Sequence, residues 1–184
     1  MDQFSVIARL KQFEGCINHM YRCTGGEVTV GIGHALLSAA SASNLTWQIS
    51  GAPAPPDCVQ SDYQAVAAAP LGQVANAYQH LTQCRMGDAD VEALVAADVT
   101  SFEAQLLKVL PNWHSYPPPA QEALFDMAFN LGIGGLFKFP TLLKAVNESD
   151  WATAAAQCHR RGIQDSRNQA TAQLFLRAGS AASV

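Results

Sequence analysis

Between Phe13 and His34 the chain reads FEGCINHMYRCTGGEVTVGIGH, and there its hydrophobic period changes from that of a helix to that of a strand. From Gln3 to Glu14 the residues Phe4, Ile7, Ala8 and Leu10 recur at helical spacing, and Gly15 follows as a stop signal, so a first helix ends at Glu14. Past residue 17 that period is lost. Thr24-Gly25-Gly26 reads as a turn, and Val28, Val30 and Ile32 alternate with Glu27, Thr29 and Gly31 as in a half-buried strand. A helix end and a short glycine-rich β segment thus gather an acid (Glu14), a thiol (Cys23), a hydroxyl (Thr29) and an imidazole (His34), a density that points to chemistry.

Each of these residues has an expected setting. Leu10 and Ile7 lie four and seven positions before Glu14, so its carboxyl is expected along the apolar stripe. A carboxylate in a last helical turn also opposes the helix dipole, and both effects favour the protonated acid that general-acid catalysis needs. Strand alternation puts Glu27 and Thr29 on one face, where Gly31 and Gly33 leave room for something to approach the backbone. The plainer alternatives are a surface glutamate and a bulged hairpin with a solvated threonine.

At 184 residues the chain can bury roughly 70% of its unfolded surface without disulfides. Charged residues are only 14% of it, the net charge is −4, and Lys and Arg form no cluster, so the electrostatic footprint of a nucleic-acid binder is missing. A neutral or weakly charged substrate fits better. The N-terminus, interrupted by Asp2, Arg9, Lys11 and Glu14, has no continuous apolar core of a classical signal, and no stretch approaches the length of a membrane span. Five cysteines, with neither a C-x-x-C pair nor zinc-like spacing, suggest no metal site. Cys58 and Cys84 could close a 26-residue loop in an oxidising compartment; all five could equally stay reduced.

Between Leu37 and Met86 the chain is rich in Ala, Ser and Pro and reads as an irregular connection with short helices near 61–69 and 71–82. Asp88 opens a long helix to about Leu110, its apolar stripe formed by Val91, Leu94, Val95, Val99, Phe102, Leu106 and Val109. Asp98 falls within that stripe and needs a partner if buried, His34 being a candidate. After Pro117-Pro118-Pro119, helices are expected over 119–131, 141–146, 150–161 and 167–178, with Gly179 as a final stop. The sum is a small β-containing lobe and a larger helical one.

Glu14, eight residues, Cys23, five residues, Thr29, and then Gly31-Ile32-Gly33-His34 resemble the catalytic stretch of the phage-type lysozymes, glycoside hydrolase family 24. The likeness extends to Asp88 to Leu107, to Ala123 through Gly132 and to Trp151 through Phe175, covering most of the chain outside 38–86. It implies an α+β, mostly helical, two-lobed lysozyme-like fold in a single domain: a small β-hairpin lobe over about 14–87, a long inter-lobe helix over about 88–110, and a helical lobe over 111–184 with the N-terminal helix. The substrate cleft is then expected between the lobes, with the β-1,4 bond between N-acetylmuramic acid and N-acetylglucosamine as the bond hydrolysed and no cofactor implied.

On that resemblance Glu14 is the general acid, while Cys23 and Thr29 hold the attacking water on the other face of the sugar. Arg167 matches the arginine that pairs with the catalytic glutamate in relatives, and His34 with Asp98 matches a buried structural pair. Phe129, Asn130, Thr141 and Gln157 fall where relatives contact the glycan; core packing is the alternative for Phe129. Cys23 departs from the commoner aspartate. A cysteine thiol, with a reference pKa of about 8.5, is mostly neutral at pH 7, so its contribution would be positional, with Glu27 supplying negative field.

The long segment 38–86 is unlike compact phage endolysins and looks more like the lysozyme-type toxin domains that bacteria inject into competitors. Peptidoglycan is the expected partner of a monomer acting in the periplasm, delivered by a holin or a secretion machine, with an immunity protein or a carrier as further partners and neither nucleic acid nor membrane. The rivals are a Cys–His peptidase using Cys23 and His34, a peptidoglycan-binding module without catalysis, and a lytic transglycosylase, which needs one acid and leaves an anhydro end.

Overall fold

The computed structural model describes residues 1–23 and 25–181; Thr24, part of the expected turn, lies outside them. The fold is α+β and mostly helical, with a small antiparallel sheet. The chain divides into two compact units, Leu10–Asp98 and a second formed by Met1–Arg9 with the chain from Val99 onward.

Helix α1 (Gln3–Glu14) ends where the sequence indicates, at Gly15 with φ of +76°. Of the expected stripe Leu10 is buried and Ile7 half-buried, but Phe4 is 82% exposed and Ala8 is exposed as well, and Val6 is buried in their place. Val6 and Leu10 lie one turn apart, which defines a narrower buried line than the periodicity suggested.

In the Leu10–Asp98 unit, strands β1 (Ile17–Arg22), β2 (Val28–Gly31) and β3 (His34–Ala35) form an antiparallel sheet in the order β1-β2-β3. Tyr21 pairs with Thr29, Arg22 with Val28 and Val30 with His34, and a register shift interrupts β1 between Ile17 and Tyr21. All four residues of β2 are buried, so it does not have the wet face that alternation implied.

The region 38–86 holds the two short helices expected near 61–69 and 71–82, and beside them more regular structure than its composition suggested. Ser38 and Ser41 form a reciprocal capping box that starts α2 (Ala39–Ser43). Ser50 and Gly51, both at positive φ, make the two-residue turn of a hairpin between β4 (Gln48–Ile49) and β5 (Ala52–Pro53). Pro56 opens α3 (Pro56–Ala68), where its missing N–H costs nothing, and a 3-10 helix spans Ala75–Leu81. The buried Asp62 of α3 accepts the backbone N–H groups of Gln83 at 2.8 Å and Cys84 at 2.7 Å. Met86 N–H donates to the Asn18 carbonyl of β1 at 2.8 Å, so the segment closes back on the sheet.

Helix α4 (Asp88–Val109) contains the boundary between the units, and its Val91, Val95, Val99 and Leu106 are buried as the stripe requires. In the other unit follow α5 (Pro118–Leu131), α6 (Ile133–Leu136), α7 (Pro140–Asn147), α8 (Trp151–Gln157) and α9 (Asp165–Ala181). Helix α9 packs against α5 and α8, and α7 packs on α8, around Trp113, Leu124, Phe125, Met127, Leu142 and Phe175. Two helix ends in this unit differ from expectation by three residues or more. Helix α8 ends at Gln157 instead of Arg161, because Arg160 is drawn into the core by polar partners. Gly179 is inside α9 rather than its stop: a Cβ there would come within 3.4 Å of Trp151, so the glycine permits close packing on the indole. Among the described residues no helix is long and apolar enough to cross a membrane.

Candidate active site

Glu14 occupies the last turn of α1 and is exposed. It continues the Val6–Leu10 line by one more turn but emerges beyond the buried surface, which corrects the expectation of a carboxyl set along an apolar stripe.

The hairpin β1–β2 carries the next two residues. Cys23 follows β1 directly, is half-buried, donates its N–H to the Glu27 carbonyl at 2.9 Å and accepts the Gly26 N–H at 3.0 Å, which closes a tight turn. Thr29, the cross-strand partner of Tyr21, is only 2% exposed and donates its hydroxyl to the Tyr21 carbonyl at 3.1 Å. The threonine is therefore buried and bonded rather than solvated, and its hydroxyl oxygen keeps lone pairs with which to accept. Glu27 is exposed at the foot of β2.

Gly31 and Gly33 both require positive φ, +68° and +83°. A Cβ at Gly31 would lie 3.8 Å from Val91 and 3.9 Å from Leu94 of α4, so the space there belongs to helix packing rather than to a ligand. Nothing lies within 4 Å of the equivalent point at Gly33.

Sequence reasoning missed Tyr21. Burial pushes its phenol pKa up, hydrogen bonding from Thr29 and from the Gly33 backbone pulls it down, and charge on Cys23 and Glu14 pushes it up. The signal available was strand register, which puts Tyr21 opposite Thr29 once the turn at 23–26 is recognised.

His34 stands apart from this group. Its Nδ1 lies 2.9 Å from both carboxylate oxygens of Asp98. Hydrogen bonding to Asp98 raises the imidazole pKa against the opposing effect of burial, and the charge of Asp98 raises it further. The sheet order keeps β1, which leads into Cys23, and β3, which begins with His34, on opposite sides of β2. That is two strand spacings, roughly 10 Å across the sheet, and Cys23 lies beside Glu27 while His34 pairs with Val30. The sheet does not bring thiol and imidazole together as a nucleophile and base.

In the other unit, Phe129 is half-buried, packs edge-on against Phe102 with centroids 5.7 Å apart and stacks on Phe125 at 6.0 Å. Asn130 has a buried Oδ1 without a hydrogen-bond partner among the described residues, whereas Thr141 and Gln157 are exposed. Arg167 donates to Asp126 Oδ1 from Nε at 3.0 Å and from Nη2 at 2.8 Å. Asp126 also receives Thr171 Oγ1 at 3.0 Å, and Arg160 Nη2 lies 2.9 Å from its Oδ2. This buried network escaped the sequence reading, although a charged residue inside the run Ala123-Leu124-Phe125-Asp126-Met127-Ala128 signals a need for partners.

A pocket of about 310 Å³ is lined by Cys158, His159, Asp165, Asn168 and Gln169, and another of about 400 Å³ by Lys11, Cys16, Asn18, Asp88 and Glu92. Neither includes Glu14, Cys23 or Thr29. Among the described residues no three His, Cys, Asp or Glu side chains converge as a metal ligand set.

Comparison with known proteins matches the phage lysozyme family model to residues 11–177. A 47-residue stretch is 45% identical to the pre-baseplate central spike protein Gp5 of Enterobacteria phage T4, covering 26% of this chain and 8% of that much longer protein.

Proposed function

We propose that this chain, which belongs to the phage lysozyme family, is a peptidoglycan hydrolase, a muramidase cleaving the β-1,4 bond between N-acetylmuramic acid and N-acetylglucosamine. The observation that carries the reading is a family match spanning residues 11–177, a range that takes in Glu14, Cys23, Thr29 and Arg167.

Glu14, exposed at a helix end, serves as the general acid that protonates the departing glycosidic oxygen. The attacking water is held by Thr29 and Cys23 in the inverting arrangement, which needs a gap of roughly 6.5–9.5 Å between the acid and the group on the far side of the sugar, and the proton that the water sheds as its oxygen bonds to the sugar passes to solvent. The Thr29 hydroxyl, bonded to the Tyr21 carbonyl, accepts a proton of the water with its oxygen and so turns a water lone pair outward for attack. Cys23 contributes position more than charge, and Glu27, whose carbonyl holds the Cys23 N–H, contributes negative field. Phe129, Asn130, Thr141 and Gln157 are assigned to the glycan-binding surface, with Arg167, His34 and Asp98 in support. Action at the periplasmic cell wall follows from the substrate, with delivery by a holin or a secretion machine.

Mass spectrometry of the soluble fragments released from purified peptidoglycan by the wild type and by Glu14→Gln tests this. Disaccharide-peptides with reducing N-acetylmuramic acid ends, absent for the variant, are the expected result. Anhydro ends would establish a transglycosylase, cut stems a peptidase, and no release by the wild type a binding module.

A further inference from the structure

The turn that carries Cys23 is held from outside by the segment 38–86. Arg22, the last residue of β1, donates Nε to the Gly26 carbonyl at 2.9 Å and Nη1 to the Ala69 carbonyl at 2.6 Å. One guanidinium therefore bridges the Cys23–Gly26 turn and the residue that caps α3. Next along the chain, the Leu71 side chain lies over the turn, its Cδ2 3.6 Å from where a Gly26 Cβ would stand. The connection from Ala69 to Val74 has neither helix nor strand, yet it is pinned twice more: buried Tyr78 donates its hydroxyl to the Pro70 carbonyl at 2.7 Å, and the His19 ring nitrogen Nε2 lies 3.1 Å from the carbonyl of Ala75, where the 3-10 helix begins.

We infer that residues 69–75 are a strap that clamps the catalytic turn, and that Arg22 is the positioning residue through which the clamp acts on Cys23. This rests on the proposed role of Cys23 and Thr29 in holding water. The physical need is plain. The turn after Cys23 contains Gly25 and Gly26, Gly26 at φ +94°, and glycine leaves a turn much conformational freedom to lose. Thr29 is fixed by the sheet, but Cys23 is fixed only as well as its turn, and a displacement of about 1 Å in a water-holding group costs about a hundredfold in rate. A planar guanidinium can reach two carbonyls in fixed directions at once; a lysine ammonium on a flexible stem does so less well.

The test uses Arg22→Met, Arg22→Lys, Leu71→Gly and Tyr78→Phe in the full chain. Amide hydrogen exchange, which needs no activity, is expected to accelerate about tenfold or more at Cys23 and Gly26 in Arg22→Met while the Leu36 amide, bonded to Val28, stays protected. On peptidoglycan, kcat is expected to fall roughly ten- to a hundredfold with KM nearly unchanged, with Arg22→Lys in between. Leu71→Gly and Tyr78→Phe should show smaller losses in the same direction that add nothing in the Arg22→Met background, since all act through one clamp. Unchanged exchange at the turn in Arg22→Met overturns the clamp. So does a loss confined to the Arg22 variants, because the strap would then be idle. If the exchange changes but the wild type cleaves no glycan bond, it is the muramidase reading that fails, and the catalytic purpose of the clamp with it.

Discussion

Replacing Asp126 by Asn keeps the shape of the side chain and removes one negative charge from the interior of the helical unit. Asp126 is 2% exposed and faces Arg160, 1% exposed, and Arg167, 5% exposed, at 2.8–3.0 Å. The Arg9 guanidinium also feels it: burial holds the Arg9 pKa down, and Asp126 and then Glu122 partly restore it. Arg9 Nε is itself buried without a hydrogen-bond partner among the described residues, so the cations here have little to spare. Removing one member of a buried ion pair costs about 3–5 kcal/mol because its partner is left uncompensated. Two guanidiniums are affected, but an amide oxygen still accepts part of their hydrogen bonding, and about 4 kcal/mol is expected. At 2–4 °C per kcal/mol for a chain of this size, Tm should fall by about 8–16 °C.

Urea unfolding followed by circular dichroism should show the midpoint lowered with the slope unchanged. The double variant Asp126→Asn with Arg160→Met should recover part of the loss, since it withdraws one of the stranded charges. A loss below about 1 kcal/mol for Asp126→Asn, or strictly additive costs in the double variant, would refute the view that charge compensation holds this core.

The two histidines of the sheet should respond to pH in opposite directions. His34, raised by Asp98, contributes stability that is complete below the unfolded value of about 6.5 and is lost as pH rises through its folded pKa; Asp98→Asn should flatten that loss, worth about 1 kcal/mol for a half-exposed pair. His19, lowered chiefly by burial, contributes stability present above about 6.5 and lost as pH falls; stability curves of His19→Gln and wild type should converge in acid. Cys23→Asp is expected to keep or raise the rate of peptidoglycan hydrolysis, and Cys23→Ala to lower it less than Glu14→Gln does; if both Cys23 variants were as inactive as Glu14→Gln, the thiol would be acting as a nucleophile. Thr29→Val should lower kcat at least tenfold while costing about 1 kcal/mol for the lost bond to Tyr21, read from kinetics and urea unfolding together.

Local rules acting on neighbouring residues determined a good part of this protein. Gly15 ends α1 at Glu14, the alternation from Val28 makes β2, and the spacing from Val91 to Leu106 makes the buried face of α4. The spacing of Glu14, Cys23 and Thr29 was enough for the resemblance, and the family match covers the same residues. The order of residues 38–86 was also written locally, in the Ser38–Ser41 capping box, the Ser50-Gly51 turn and Pro56 at a helix start, but alanine and proline richness hid it.

Tertiary structure alone decided what each polar group meets. A helical period cannot say where buried surface stops, so Glu14 came out exposed. Alternation cannot tell a strand covered on one face from one covered on both, so Thr29 came out buried with its hydroxyl bonded to Tyr21. The partners of Asp126 lie 34 to 45 positions away in the chain and those of Arg22 include Ala69, 47 away. Hydrogen bonds and ion pairs over such separations depend on how elements pack, and hydrophobic period records only which side of an element is covered.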